Sequence, residues 1–266
     1  MNLKITMDFK KFLTFVFISL TLFSRAGEKA PPVKPAEEIY IASLEMSVQI
    51  YRIARDKIYE IYYPDFELLQ NDLADAIDIL EEKISVVENA PAELHGKEQL
   101  QQAVSVWNNL RFHSMRKLEK KDVVRFYYDT QTFDNFLKIL REKIEDQYEF
   151  NSPAWQELKK RYHLQASVFK VNTGYMTRSY GLAESLSHLA EKEMNEVDRL
   201  FDEAKTRKFL LHSVTGDLFA MLMNDWTFLK YSINNTLFTT DLTCFSVSNT
   251  IYNRIHLINI LSRNEI

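Results

Sequence analysis

Hydrophobic residues recur every three or four positions along most of this chain, which is the spacing of one face of an α-helix. In the first such stretch they are Ile41, Leu44, Val48, Tyr51, Ala54, Ile58 and Ile61. The same spacing continues over residues 69–87, 100–118 and 123–144. With only six prolines and five glycines in 266 residues, few positions interrupt these stretches. The pattern predicts an all-α protein.

The pattern breaks at residues 151–153 and then resumes. Ser152 is suited to cap a new helix and Pro153 to occupy its first position, so we place a domain boundary between residues 150 and 151. Asp65, Asp122 and Asp241 are predicted caps of three other helices. The second half is predicted to contain helices over residues 164–186, 189–204, 209–233 and 242–261.

Parts of the two halves match at a constant offset of 119 residues. The matching pairs are Trp107 and Trp226, Leu110 and Leu229, Arg111 and Lys230, Phe112 and Tyr231, Leu118 and Leu237, Asp122 and Asp241, and Phe126 and Phe245. Most are large apolar residues at helical spacing, so the repeated element is a packed helical unit. The sequence therefore predicts two tandem four-helix units from an internal duplication, over residues 37–150 and 151–266.

The first residues have the pattern of a secretory signal. Three lysines precede an apolar run over residues 12–23, and a small-x-small sequence follows at residues 24–26. A membrane anchor is the alternative, but a span needs about 20 apolar residues and this run has twelve. We predict a signal peptide over residues 1–26, a Pro-rich tether over residues 27–36, and a periplasmic or secreted protein.

Charge and cysteine content narrow the classes of partner. The formal charge is −4, and loss of residues 1–26, with four basic and one acidic residue, would make it −7. Nucleic acid is therefore not an expected partner. Cys244 is the only cysteine, so no intrachain disulfide can form. Its apolar neighbours favour a small core residue over the alternative of a reactive thiol.

Motifs for catalysis and for metal or cofactor binding are absent from the sequence. None of the six histidines lies in a Glu-x-x-His pair, and no phosphate-binding glycine loop or Gly-x-Ser-x-Gly motif occurs. Glu184 and His188 lie four residues apart, but a solvated ion pair is the simpler interpretation. We predict a non-enzymatic protein with no metal and no cofactor.

Two features have both a structural and a functional interpretation. Trp107 and Trp226 are suited to line a ligand pocket, although a Trp at the centre of a helical repeat is more often a core residue. The helix over residues 242–261 has one formal charge, Arg254. Simple burial explains that polarity, and the alternative is a contact face for a partner or for a second copy of the chain.

Two tandem helical units, each with Ala and a small residue near the start of a long first helix and a Trp midway along the third, resemble the PilJ-type domain. Ala42-Ser43 and Ala166-Ser167 fall where that family has Ala-Gly, and residues 100–112 and 219–231 look like its Trp-bearing third helix. The family forms the extracytoplasmic sensing part of type IV pilus chemotaxis transducers and is similar to the nitrate-sensing bundle of NarX-like kinases. The resemblance implies a helical sensor domain.

The family's signature continues with Arg-Gln-Arg-Met-Leu, which in the nitrate sensors supplies cations to an anion. This chain has residues 44–48 and 168–172 there, without an arginine. Arg52, Arg55 and Arg178 lie two to three turns further on and are candidates to replace that charge, although exposed helix arginines are the commoner case. With Trp107 and Trp226 they form our candidate ligand-binding set.

The sequence thus predicts a non-catalytic sensor or binding module without its own membrane-spanning or output domain. It would bind a small ligand between helices, or a partner protein such as an envelope or membrane signalling protein. The alternative is a structural or adaptor protein of the cell envelope or pilus machinery, with homo-oligomers formed through the last helix.

Overall fold

Eight α-helices and two short 3₁₀ turns form the secondary structure of the described residues. The computed structural model describes residues 35–89, 96–148, 150, 152–186, 188–206, 213–235 and 241–262. The helices are α1 (Pro35–Glu60), α2 (Glu67–Glu88), α3 (Lys97–Ser114), α4 (Val123–Gln147), α5 (Pro153–Ser179), α6 (Leu189–Thr206), α7 (Ser213–Asn234) and α8 (Asp241–Ser262). The all-α prediction is confirmed. The predicted signal peptide lies outside the described residues, as does the tether up to residue 34, and α1 begins at Pro35.

Local sequence signals placed some helix ends correctly and others wrongly. Ser152 caps α5, its side chain accepting a bond from the Trp155 amide at 3.4 Å, and Pro153 follows as predicted. Asp65 is not a cap, because Phe66 holds the N-cap position of α2. Asp122 is at the N-cap of α4 but its side chain makes no capping bond.

The apolar spacing misplaced the fifth helix, although Ser152 and Pro153 located its start. Its apolar spacing was read from residue 164 to 186, whereas the helix runs from Pro153 to Ser179. Gly181, with a φ of 57°, follows in the left-handed region that ends helices. Residues 184–186 form a separate 3₁₀ turn.

Helices α1 and α5 pack against each other and run in the same direction. Tyr162 near the start of α5 donates to Glu45 of α1 at 3.0 Å, and Tyr59 near the end of α1 donates to Asn172 of α5 at 3.0 Å. Around this pair, α1 also packs against α2 and α4, and α5 against α6 and α8. Helix α3 packs on α4, and α7 on α8.

Helix α1 is buried on nearly its whole circumference. The sequence predicted a single apolar face, yet 21 of its 26 residues are buried. They include charged residues that an amphipathic helix would expose, namely Glu45, Arg52, Arg55, Asp56 and Lys57. The prediction failed because α2, α4 and α5 all pack on α1, so charge on α1 must find partners inside the protein.

The residues of the repeated motif have matching environments in the two halves. Trp107 and Trp226 are 3% and 2% exposed, whereas Phe112 and Tyr231 are exposed. The basic residue between them pairs in each half with a carboxylate of the preceding helix, Arg111 with Glu81 and Lys230 with Asp198. The motif therefore has the same inward and outward sides in both copies.

The last helix is buried along one face, with nine of its 22 residues buried, so the prediction of burial over most of its surface is only partly correct. Ile251 and Ile255 are 0% and 1% exposed, so they belong to the core and not to a contact surface. Cys244 is buried too, as predicted for a small core residue. The outward side of α8 exposes Leu257 and Ile260.

Candidate functional site

Five charged side chains of α1 and α2 form one group, buried except at Asp75, which we call the arginine–aspartate cluster: Arg52, Arg55, Asp56, Asp72 and Asp75. Arg55 has no solvent exposure, and its Nε donates to Asp56 at 2.7 Å while its Nη2 donates to Asp72. Arg52 is 5% exposed and bonds Asp72 and, at 2.8 Å, Asp75. Asp72 thus accepts hydrogen bonds from both guanidinium groups and links α2 to α1.

The cluster also reaches α8. Nη1 of Arg55 donates to Ser248 Oγ at 2.8 Å and to Asn249 Oδ1 at 2.6 Å. The guanidinium carbon of Arg55 lies 4.5 Å from the ring centroid of Phe169 and 4.4 Å from that of Phe245. The ring faces partly replace the hydration that a buried cation loses. One arginine therefore contacts α2, α5 and α8 through polar or aromatic groups.

The two inner carboxyl groups of the cluster have opposite pKa shifts. Burial alone would raise the pKa of Asp72, but Arg55 and Arg52 outweigh burial and lower it to about 2. Burial raises the pKa of Asp56 well above its usual value, and the Arg55 charge only partly offsets that effect. The nearby Asp72 raises the pKa of Asp56 further, because two adjacent carboxylates repel each other.

A protonated Asp56 would explain an otherwise unsatisfied atom. Asp56 Oδ2 is buried without a hydrogen-bond partner among the described residues when it is counted as an acceptor. A hydrogen bond between the Asp56 and Asp72 carboxyl groups raises the pKa of Asp56 and lowers that of Asp72, and such a bond requires a proton on Asp56. With Asp56 neutral, the two guanidinium groups face two carboxylates and the cluster carries no net charge.

This protonation predicts how stability depends on pH. The pKa of Asp56 is raised in the fold, so its contribution is complete below the unfolded value of about 3.9 and is lost as pH rises through the folded value. In Asp56→Asn, the amide mimics the neutral acid. We expect wild type to lose stability relative to this variant as pH rises from 4 to 8, measured by urea unfolding.

Asp78→Asn, at an exposed position of α2, is the control and should show no such trend. Asp72 does not interfere in this range, because its lowered pKa adds pH dependence only below about 4. A constant difference between wild type and Asp56→Asn would contradict a neutral Asp56.

An open depression lies directly over the cluster, between α2 and α8. Its volume is about 320 Å³. It is lined by Arg52, Phe66, Leu68, Asn71, Asp72, Asp75, Phe245, Ser246 and Asn249. Apolar rings, carboxylates, amides and a hydroxyl therefore converge on one concave surface. A volume near 300 Å³ is at the small end of pockets that bind small molecules.

The structure brings together only two of the five residues that the sequence singled out. Arg52 lines the depression and Arg55 lies in the same cluster, bonded to the same Asp72. Arginines on helices are more often exposed, but Arg52 and Arg55 are both buried. Arg178 is exposed, in the last turn of α5. Arg178 is not among the residues that line the depression.

Both tryptophans are core residues and line no part of the depression. Trp107 packs in α3 and Trp226 in α7, each buried. The Trp226 indole N–H donates to Asp198 Oδ1 at 2.9 Å, the single partner that a buried indole needs.

Sequence reasoning missed the acidic half of the cluster. Asp56, Asp72 and Asp75 were not candidates, nor was Asn249. One signal was available: residues 48–58 carry apolar side chains on more than one side of the helix, which indicates a fully buried helix. Charges on such a helix require partners, although the spacing alone does not identify them.

A second polar group joins the ends of α1 and α5 to the start of α8. Asp241 accepts bonds from Tyr175 at 2.7 Å, from Tyr63 at 2.5 Å and from Tyr180. Its carboxylate was predicted to cap α8, but three hydroxyls occupy it instead. Burial and the bond to Asp241 raise the pKa of Tyr63 and of Tyr175, so both remain donors. We assign this group a structural role.

Within the described ranges, no set of three or more His, Cys, Asp or Glu residues could hold a metal ion. Nor is any helix in the described part of the chain long and apolar enough to cross a membrane. Comparisons with protein-family models, with curated proteins and with solved structures found no match to this chain.

Proposed function

We propose that this protein is a non-catalytic binding module whose ligand site is the depression between α2 and α8. One observation carries the proposal: the depression has a volume of about 320 Å³, and its floor consists of arginine and aspartate side chains that are paired with one another. Such a floor is already fixed before a ligand arrives, so little ordering opposes binding. Small-molecule sites combine apolar walls with a few placed polar groups, as this surface does.

The same geometry offers a route from ligand to protein. A molecule in the depression would touch α2 and α8 together, and Arg55 connects both helices to α1. Helix α1 in turn packs along α5. Ligand binding that favours one spacing of α2 and α8 would therefore act on the central helix pair, which is what a sensor requires.

We further propose the organisation that the sequence predicts. Residues 37–266 would form two tandem four-helix units that are related by duplication and similar to PilJ-type sensor domains. The protein would be exported through a signal at residues 1–26. The matching environments of Trp107 and Trp226, and of Phe112 and Tyr231, support a duplication. The exported module would pass its bound state to a membrane protein.

A scaffold or adaptor role is the second candidate, supported by exposed apolar side chains. Leu257 and Ile260 are 42% and 49% exposed on α8, and Met221 of α7 is 44% exposed. Self-association that Leu257→Asp with Ile260→Asp abolishes would favour this role. Ile251 and Ile255 are unsuitable for that test because a buried aspartate there would unfold the protein.

Thermal melting of the full chain tests the binding module. The panel would contain nitrate and other small anions, amino acids, organic amines and cell-wall fragments. A ligand at a hundred times its Kd adds about 2.7 kcal/mol, which raises Tm by several degrees in a protein of this size. We expect a shift with one chemical class.

Two tryptophan variants locate the site. Ser246→Trp fills the depression, whereas Asn253→Trp adds the same side chain to an exposed position of α8 outside it. The shift should vanish in the first and persist in the second. A shift that survives in Ser246→Trp, or no shift with any class, would rule out the proposed site.

A further inference from the structure

We infer that the ligand of the depression is a small organic ammonium ion that carries an apolar group. This inference rests on the proposed function and adds the chemistry of the ligand. It follows from three observations on the lining: which charges reach solvent, which hydrogen-bonding groups are already used, and where the apolar surface lies.

The charge that the depression presents to solvent is negative. The side chain of Asp75 is 59% exposed, against 11% for Asp72 and 6% for Arg52. Arg52 contacts one oxygen of Asp75, Oδ2, at 2.8 Å. The other oxygen, Oδ1, is therefore available to a ligand. An ammonium group there would be attracted at short range, with Asp72 as a second anion deeper in the site.

Apart from the Nε–H of Arg52, the cationic donors of the site are already engaged. Both Nη atoms of Arg55 and the Nη2 atom of Arg52 bond to carboxylate, hydroxyl or amide oxygens of the protein. An anionic ligand would be repelled by the exposed carboxylate of Asp75, and to reach the Nη atoms it would have to displace Asp72 and leave that largely buried carboxylate without its partners. Such an uncompensated buried charge is strongly unfavourable. The arginines that suggested anion binding from the sequence therefore argue against it in the fold.

The apolar part of the lining is large enough for a hydrocarbon group. Leu68 is 65% exposed, and Phe66 meets Phe245 edge to face with ring centroids 6.0 Å apart. These three side chains lie in the same lining as Asp75. An ammonium ion with a phenyl or branched alkyl group would place its charge at Asp75 and its hydrocarbon part on these rings.

One buried donor also indicates that the site holds a molecule. Arg52 is 95% buried and lines the depression, yet its Nε–H has no hydrogen-bond partner among the described residues. Buried donors are almost always paired, with protein, with water or with a ligand. The lining therefore accommodates an acceptor as well, supplied by the bound molecule or by water that it retains.

Three probes that share a phenylethyl group and differ in charge test the inference by calorimetric titration of the full chain at low salt. They are 2-phenylethylamine as its ammonium ion, 2-phenylethanol, and 3-phenylpropionate. We expect the ammonium ion to bind roughly tenfold more tightly than the alcohol, as one partly exposed ion pair allows, and the carboxylate to bind most weakly.

Asp75→Asn should remove the preference for the ammonium ion over the alcohol. Asp78→Asn, an exposed position on the same helix outside the lining, is the matched control and should retain the preference. Because Asp75 is mostly exposed, its replacement leaves the buried core of the cluster in place.

The outcomes separate this inference from the proposed function. Equal affinity for the ammonium ion and the alcohol, or a preference that persists in Asp75→Asn, would overturn the inference even if Ser246→Trp still blocks binding. If none of the three probes binds while another class raises Tm, the ligand chemistry is wrong and the site stands. If nothing binds at all, the proposed function fails as well.

Discussion

Replacing Arg55 with methionine is expected to lower the free energy of unfolding by about 3–5 kcal/mol. Methionine fills much of the same volume, so loss of packing is a small part of the effect. The main cost is that Asp72 loses one of its two guanidinium partners, and Ser248 and Asn249 lose a donor, in a site where Arg55 has no exposure. Urea unfolding followed by circular dichroism measures the change.

Arg178→Met is the matched control, because it removes the same side chain from an exposed position of α5. A change within about 0.5 kcal/mol is expected there. The double variant Arg55→Met with Asp72→Asn should be less destabilised than the sum of the two single variants, since each removes the partner that the other leaves unpaired. A loss below about 1 kcal/mol in Arg55→Met would contradict a dry, tightly paired cluster.

Replacing either repeated tryptophan with alanine is expected to lower the free energy of unfolding by about 3–5 kcal/mol, or Tm by roughly 10 °C. Trp107 and Trp226 are both buried, so each substitution leaves a large cavity. Trp226→Ala also leaves the Asp198 oxygen without its indole donor. Phe112→Ala and Tyr231→Ala, at the exposed positions of the same motif, should change stability far less.

The shape of the unfolding curve carries further information. We expect a single transition that either variant shifts as a whole. The reason is that α1 cannot remain folded without α5 and α8: Tyr59 bonds Asn172, and Gln49 bonds Tyr252 at 3.0 Å. Two transitions, each shifted by only one variant, would show instead that the two predicted units unfold independently.

The predictions that succeeded concern properties encoded locally. The spacing of apolar residues identified the helices, and Ser152 with Pro153 located the start of α5. A core position for the two tryptophans was one of the two interpretations of the sequence, and the structure confirms it. In each case the relevant energies come from residues within one or two helical turns.

The helix-capping predictions failed where a distant residue competed for the same group. Asp241 has the residue type of a cap, but it is the first residue of α8, and its carboxylate accepts bonds from the hydroxyls of Tyr63, Tyr175 and Tyr180. A local capping pattern does not include residues that are far away in the sequence. The prediction for Asp65 failed for a different, local reason, because Phe66 holds the N-cap position of α2.

The sequence by itself determined that this protein is helical and which residues form most of its helices, and it favoured a core position for Cys244. It left both tryptophans open between the core and a ligand pocket, and only their burial in the structure decided for the core. Only the tertiary structure decided that Arg52 and Arg55 are buried and that Asp72 pairs with both. Helical periodicity describes one helix at a time, whereas burial of a charge depends on how many helices surround it. That number is set by packing between segments far apart in the chain, and it turned two candidate anion-binding arginines into the floor of an acidic depression.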